Sequence, residues 1–186
     1  MSLSQIESEA EGKMKKSLDA FRKELSLMRT GRATPALLER VMVDYYGSPM
    51  PINQVATVSV PESQLLVIQP WDRSLIKTIE KAILKSDLGL NPSSDGTVIR
   101  LPIPSLTEER RRDLSKVARK KAEEAKIAIR NIRREANDEL KRLEREKSIS
   151  EDENKRRQEE VQKLTDKFVG EIDNVAQAKE KEIMSI

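Results

Sequence analysis

The sequence "LSKVARKKAEEAKIAIRNIRREANDELKRL", residues 114–143, gives the strongest indication of the fold. Its apolar residues recur every three or four positions, the period at which side chains share one face of an α-helix. The pattern extends from about 107 to 147, which predicts a helix roughly 60 Å long at 1.5 Å per residue. Because much of the apolar stripe is alanine, neighbouring helices can approach closely. The stripe consists of Leu114, Ala118, Ala122, Ala125, Ile129, Ile132, Ala136, Leu140 and Leu143.

Two more helices are predicted at the ends of the chain. The first thirty residues carry a similar stripe, which should stop near "TGRATP" because Gly31 and Pro35 break the pattern. The last helix follows "SISEDE", where Ser150 and Glu153 form a capping box. A helix with so narrow an apolar stripe is not stable alone. We therefore predict a three-helix bundle built from residues 1–30 and 105–186.

The middle of the chain has a different character. Between 31 and 104 there are short β-rich runs, "RVMVDYY", "VATVSV", "LLVIQ" and "TVIRLP", bounded by the turn clusters "GSPMP", "PES" and "NPSSDG". One helix is predicted at roughly 72–86, with Leu75, Ile76, Ile79, Ala82 and Ile83 on one side. The chain is therefore predicted to be α+β, with residues 31–104 inserted into the bundle as a small domain.

The insertion is joined to the bundle by two connections, near 30–31 and 103–105. Such a double connection restricts twisting but can still act as a hinge. The predicted hinge consists of Thr30, Gly31, Pro102, Pro104 and Ser105.

Charge is distributed unevenly along the chain. Residues 110–134, which we call the basic zone, hold 11 cations and 3 anions, a sum of +8. Residues 135–186 hold 11 cations and 15 anions, a sum of −4. The formal net charge of +3 conceals this asymmetry.

The end of the basic zone, "AIRNIRREAN" at 128–137, concentrates Arg130, Arg133 and Arg134. These cations could belong to an ordinary solvated helix face, or they could meet an external anion. A face distinct from the alanine stripe carries Arg130, Arg133, Asn137 and Lys141, and the planar fork of arginine pairs bidentately with phosphate. A long helical rod suits recognition of structured RNA by shape and phosphate contacts. Carboxylates of this same chain engaging both Arg130 and Arg133 would contradict that interpretation.

The chain lacks the residues that several classes of protein require for their function. The chain has no cysteine and no histidine, and its glycines form neither G-x-G nor a phosphate-binding loop. We therefore expect no metal, no cofactor and no enzymatic activity. The N-terminus "MSLSQIESEAEGKMKK" lacks the apolar core of a signal peptide, so a cytoplasmic protein is expected. Tyr45, Tyr46 and Trp71 could stack on bases or cover the small sheet.

Two other functions stay open on the residues alone. A coiled-coil adapter would bind helical proteins through its long helices, with ordinary solvated charges. A hydrolase would need a pair of carboxylates, which helical spacing alone cannot show.

Several segments together resemble the ribosome recycling factor family of bacteria and organelles. They are "MRTGRATPALL", "VDYYGSPMPINQVATVSV", "SDLGLNP", "RLPIPSLTEERRRDL", "RNIRREAND", "ISEDE" and "VQKLTDKF", in order along nearly the whole chain. The resemblance implies an L-shaped protein with a three-helix bundle and an inserted β/α/β domain. It also implies a monomer that splits the post-termination ribosome into subunits together with elongation factor G and its GTP.

The resemblance also implies which residues contact ribosomal RNA of the large subunit. The family's arginines match Arg29 and Arg32 in "RTGR", Arg111 in "TEERR", and Arg130 and Arg133 in "RNIRR". With the helical-face argument, the predicted RNA-binding set is Arg29, Arg32, Arg111, Arg130, Arg133, Arg134 and Asn137. The small domain and the hinge are expected to face elongation factor G.

Overall fold

The computed structural model describes residues 3–185, which form helices and strands in a mixed α+β arrangement. The helices are α1 (Leu3–Ser26), α2 (Ile76–Lys85), α3 (Glu108–Arg145) and α4 (Glu151–Met184). The strands are β1 (Met42–Tyr45), β2 (Ser48–Pro51), β3 (Ala56–Glu62), β4 (Leu65–Pro70), β5 (Ser93–Ser94) and β6 (Ile99–Pro102). The predicted fold class is confirmed.

Contacts divide the chain into two compact units. The first unit comprises residues 3–25 and Arg112–Lys181, and the second comprises Ser26–Arg111 and residues 182–185. The second unit therefore extends from Ser26 to Arg111, beyond the 31–104 range predicted for the insertion.

The first unit is built from three long helices that share apolar contacts. One buried cluster joins α1, α3 and α4 through Ile6, Ala10, Ala136, Leu140, Leu143 and Val161. The stripe predicted from residues 114–143 faces inward: all its members are buried except Ala125 and Ile132, which are half-buried. Burial of this stripe is what holds each helix in place, because none of the three has a wide apolar face of its own.

The ends of the long helices are fixed by local hydrogen bonds. The Arg110 amide donates to Thr107 Oγ1 at 3.1 Å, so Thr107 caps the start of α3. The Glu153 amide donates to Ser150 Oγ at 3.1 Å at the start of α4, where the sequence predicts a cap. Beyond the end of α3, Lys147 adopts a left-handed conformation with φ 56°, and the Ser148 amide donates to the Leu143 carbonyl.

The first helix is shorter than its sequence pattern predicts. Its apolar period continues to Met28, but α1 ends at Ser26 and Met28 is half-buried beyond it. The physical reason is tertiary. Thr30 is buried in the second unit, where its hydroxyl donates to Glu182 Oε1 at 2.9 Å, so the chain leaves the helical path before residue 30.

The second unit contains an antiparallel sheet with strand order β3-β4-β6-β5. Alternate residues of β4 and β6 point into its core, including Leu66, Ile68, Ile99 and Leu101. Helix α2 packs on this core through Ile76, Ile79 and Ile83, and Leu75 and Ala82 also contact it, as its periodicity predicts. This core consists largely of isoleucine, leucine and valine, in contrast to the alanine-rich contacts of the bundle.

Two predicted turn clusters contain strands. The cluster "GSPMP" holds β2, which pairs with β1, and "NPSSDG" holds the two residues of β5. Proline lacks an amide donor, so Pro49 and Pro51 are tolerated in β2 because this strand belongs to a two-stranded ribbon and lies at its edge. Tyr46 and Gly47 form the two-residue turn of the hairpin, with φ 48° and 85°. Positive φ at both positions matches the turn twist that hairpins favour.

Candidate nucleic-acid interface

The arginines at the end of the basic zone lie on α3, in the middle of the first unit. Arg130 and Arg134 are exposed, and within residues 3–185 neither side chain has a hydrogen bond or an ion pair. Arg133 is half-buried, and its Nη1 donates to the side-chain oxygen of Gln162 on α4 at 3.1 Å. Over the described residues no carboxylate of the chain engages Arg130 or Arg133.

This arrangement suits the binding of an external anion. Residues three and four apart on a helix are roughly 5–6 Å from one another at their Cβ atoms. Arg130, Arg133 and Arg134 therefore present their side chains close together and repel each other in the absence of a counterion. The Gln162 contact orients Arg133 without neutralising it, because an amide oxygen carries no formal charge.

Other cations of the basic zone are neutralised inside the protein. Lys121 Nζ lies 3.1 Å from Glu24 Oε2, and Arg119 pairs with Glu180. Lys126 Nζ lies 2.6 Å from Glu123 Oε1 and 3.0 Å from Asp173 Oδ1. The hydrogen bonds that Lys126 donates, first to Glu123 and then to Asp173, raise the pKa of Lys126. The sum of +8 counted along the sequence therefore overstates the positive charge available to a ligand.

Arg111 and Asn137, two more predicted contacts, are half-buried. Arg111 Nε and Asn137 Oδ1 are buried without a hydrogen-bond partner in the part of the chain that the structure describes. A contact between Asn137 and RNA would therefore use the amide nitrogen of its side chain. The outer nitrogens of the Arg111 guanidinium are the atoms that could reach a phosphate.

Arg29 and Arg32 lie in the second unit, in the segment that follows α1, and both are exposed. They line a cavity of about 130 Å³ together with Gly31, Gly89 and Leu106 among others. Neither arginine has a carboxylate partner over residues 3–185. The cavity wall is otherwise largely apolar, and no acidic side chain among the described residues lines it to neutralise the charge of the two guanidinium groups.

The residues predicted to form the hinge are held by specific contacts. Gly31 adopts φ +76°, and a Cβ built there would lie 3.2 Å from Leu106 Cγ and 3.3 Å from its backbone nitrogen, so a side chain would be strained on both counts. Ser105 Oγ accepts a hydrogen bond from Gln64 Nε2 at 2.7 Å. Pro102 ends β6, opposite Leu65 of β4, and Pro104 is exposed. All these residues belong to the second unit.

Residues 3–185 contain neither a cluster of metal-ligating side chains nor a membrane-spanning helix. No group of three or more acidic side chains converges as metal ligands would. None of the helices in residues 3–185 is long and apolar enough to cross a bilayer.

Comparison with known proteins identifies a family. The family model described as ribosome recycling factor matches residues 21–184. The ribosome-recycling factor of Carboxydothermus hydrogenoformans is 64% identical over 178 residues, covering 96% of each chain. That of Heliobacterium modesticaldum is 59% identical over 184 residues, covering 99% of this chain and 100% of its own.

Solved structures agree with these relatives. A solution structure of a ribosome recycling factor superposes with a TM-score of 0.83 at 49% identity, covering 100% of this chain and 99% of its own. A second structure is described as models for the T. thermophilus ribosome recycling factor and the E. coli elongation factor G bound to the E. coli post-termination complex. It superposes with a TM-score of 0.72 at 51% identity, covering 99% of this chain and 100% of its own.

Proposed function

The chain belongs to the ribosome recycling factor family, and on that premise we propose that it binds the post-termination ribosome on large-subunit ribosomal RNA. Together with elongation factor G and the GTP which that factor hydrolyses, it splits the ribosome into subunits for a new round of translation. The observation that carries the RNA contact is that no carboxylate of the described chain neutralises the exposed Arg130 or the half-buried Arg133.

The proposed division of labour follows the two units. In the first unit, phosphate contacts from Arg130, Arg133 and Arg134 anchor the long helices on RNA, and guanidinium–phosphate pairs are charge-assisted hydrogen bonds. Arg29, Arg32 and Arg111 add cations from the second unit. The second unit receives the push of elongation factor G, and Thr30, Gly31, Pro102, Pro104 and Ser105 form the hinge that lets it swing.

The proposal also covers the oligomeric state, the location and the lack of enzymatic activity of the protein. The protein acts as a monomer in the cytoplasm, and it performs no chemistry of its own. The GTP is bound and hydrolysed by the elongation factor, while this chain contributes binding and mechanical coupling. The structure described with elongation factor G on the post-termination complex, at 51% identity, supports this choice of partners.

Sedimentation of vacant ribosomes tests the function directly. Ribosomes are incubated with this protein, elongation factor G and GTP, and subunits should appear only when all three are present. Intact ribosomes in the complete mixture would contradict the proposal.

A matched pair of variants tests the RNA-binding surface. We expect Arg133→Ala to weaken ribosome binding by about 1–3 kcal/mol, the range for hydrogen bonds to charged groups, with thermal stability nearly unchanged. The control is Arg142→Ala, which removes another arginine of α3. Arg142 is already paired with Glu139 and Glu146, so its loss should leave ribosome affinity unchanged. If Arg133→Ala unfolded, the role of Arg133 would be to stabilise the helical bundle and not to bind RNA.

Salt and ribonuclease separate this function from a coiled-coil adapter. If roughly four to six phosphates are neutralised, affinity should fall about a hundred- to a thousandfold between 50 and 200 mM monovalent salt. Partners should be lost from native gels after ribonuclease treatment. Partners that persist without RNA, with little dependence on salt, would favour the adapter.

A further inference from the structure

The second unit exposes aromatic rings that the RNA contact does not use. Tyr46 is 79% exposed and Trp71 is 69% exposed, while Tyr45 is 36% exposed. The rings of Tyr45 and Tyr46 meet edge to face with centroids 4.7 Å apart. We call Tyr45, Tyr46 and Trp71 the aromatic patch. Exposed rings of this size usually mark an interaction surface, since burying them is favourable and leaving them in water is not.

The polar ends of the Tyr46 and Trp71 side chains are hydrogen-bonded to the protein, while most of each of these two side chains is exposed. The Tyr46 hydroxyl donates to Asp72 Oδ2 at 3.2 Å, and Trp71 Nε1 donates to Thr57 Oγ1 at 3.1 Å. Tyr46 also sits in the left-handed region with φ 48°, a conformation unusual for an aromatic residue. The turn and the Asp72 contact therefore fix Tyr46 in place before any partner arrives, which lowers the entropy lost on binding.

The charge beside the aromatic patch is negative. Asp72 Oδ1 accepts from the Ser74 amide at 2.9 Å, and Asp44 Oδ1 accepts from the Gly47 amide at 2.8 Å. Hydrogen bonds, chiefly from Ser74, lower the pKa of Asp72, so it stays ionised at neutral pH. Neither carboxylate has an ion pair within residues 3–185, and residues 42–48 with 71–74 sum to −1, because Arg73 offsets one of the two acids.

Aromatic rings beside carboxylates that form no ion pair within residues 3–185, with a net local charge of −1, favour a cation. A ring attracts a cation to its negative face, and a carboxylate strengthens that attraction. A nucleic-acid partner is disfavoured here because its phosphates would be repelled by Asp44 and Asp72. We propose that the aromatic patch, with Asp44 and Asp72, is a docking site for a protein segment that presents an arginine or lysine side chain. This surface is chemically opposite to the basic zone and binds a different partner.

The only tryptophan of the chain, Trp71, makes the proposal testable in the full-length protein. A short peptide of alternating glycine and arginine is titrated while the fluorescence of Trp71 is followed. The control peptide replaces arginine with glutamine. We expect a saturable change with the arginine peptide and none with the glutamine peptide. The absence of a saturable change, or equal responses to both peptides, would overturn the proposal.

Two variants separate the contributions of the charge and the ring. Asp72→Asn removes the charge but keeps an oxygen for the Ser74 amide, and affinity should fall about twofold to fivefold. Tyr46→Asn removes the ring with a residue that tolerates positive φ, and affinity should also fall about twofold to fivefold. Circular dichroism confirms that each variant is folded. If both variants bound the arginine peptide like the parent protein, the site would not be here.

A charge-matched variant and a nucleic-acid probe complete the test. Glu62→Gln removes one negative charge from the same unit at the other end of β3, roughly 20 Å from the Ala56 end that pairs with Pro70, and should leave peptide affinity unchanged. An equal loss in Glu62→Gln would reduce the effect to general charge attraction. An oligouridine titration should leave Trp71 unchanged. Saturable quenching by oligouridine that Tyr46→Asn abolishes and Asp72→Asn does not would assign the patch to base stacking instead.

Discussion

Helix α4 and the end of the basic zone on α3, residues 130–134, both carry cations, but these cations have different surroundings. On α4, Lys155 lies 2.8 Å from Glu151, and Lys163 lies 2.9 Å from Glu160. On α3, Arg130 and Arg134 have no such partner over the described residues, and Arg133 meets only a neutral amide. The difference shows that charge density alone does not identify a binding surface. What identifies it is positive charge that the fold leaves uncompensated.

The largest effect should come from removing both central arginines. The double variant Arg130→Ala with Arg133→Ala should lose about 2–6 kcal/mol of ribosome-binding free energy, from about 1–3 kcal/mol for each charged hydrogen-bonding group. Its melting temperature should match that of the parent protein, because neither side chain pairs with a carboxylate of the fold. Binding to vacant ribosomes by sedimentation and thermal unfolding by circular dichroism are measured together. A lowered melting temperature would show that both helices use their cations for stability.

Leu140→Ala tests the buried face of α3 instead of the face that carries the arginines. Leu140 is fully buried in the cluster shared by α1, α3 and α4, and its truncation should lower the free energy of unfolding by about 2–5 kcal/mol. The control is Ile127→Ala on the same helix, which is 52% exposed and should change stability by less than about 0.5 kcal/mol. Chemical denaturation measures both. Similar losses of unfolding free energy in the two variants would mean that the buried and exposed faces of α3 contribute equally to stability.

Arg157→Ala tests a paired arginine of α4. Arg157 Nη1 lies 3.0 Å from Glu7 Oε1, and the side chains are 32% and 24% exposed. The variant should lose about 0.5–1.5 kcal/mol of unfolding free energy, the net value of a typical hydrogen bond, and should bind ribosomes normally. This is the reverse of the pattern expected for Arg133→Ala. A loss of ribosome affinity with unchanged denaturation would place Arg157 in the interface.

The smallest expected effect is on the pH dependence of stability. It comes from Asp95 in the second unit, a carboxylate that hydrogen bonds of the fold stabilise in its charged form. Backbone hydrogen bonds from Val98 and Thr97, and then a bond from Arg100, lower the pKa of Asp95 from 3.8 to about 2. A lowered folded-state pKa stabilises the protein above the unfolded value, and this contribution is lost as pH falls through about 2. Stability should therefore decrease between about pH 4 and pH 2, and Asp95→Asn should reduce that decrease. Urea midpoints across this range measure the effect; identical pH profiles for both proteins would contradict it.

Much of the architecture could be predicted from the sequence because its signals are local. The stripes of α1, α3 and α4 repeat within one or two turns, and Ser150 caps a helix within its own next three residues. The strands in "GSPMP" and "NPSSDG" escaped prediction because proline, serine and glycine are typical of turns. In the structure, pairing with β1 and β6 determines their conformation. The early end of α1 at Ser26 likewise follows from burial of Thr30 in the second unit.

The candidate site, like the fold, could be predicted from the sequence only in part. Composition and order alone determined three long helices, a β-rich segment between them, and an excess of arginine and lysine at 110–134. Which of those cations remain available to a ligand depends on contacts between residues far apart in the sequence. Lys121 is neutralised by Glu24, 97 residues away, and Lys126 is paired with Asp173, 47 residues away, in addition to its neighbour Glu123. Helical periodicity depends on neighbours within a few positions, whereas neutralisation of a charge depends on distance through space, which the fold alone sets.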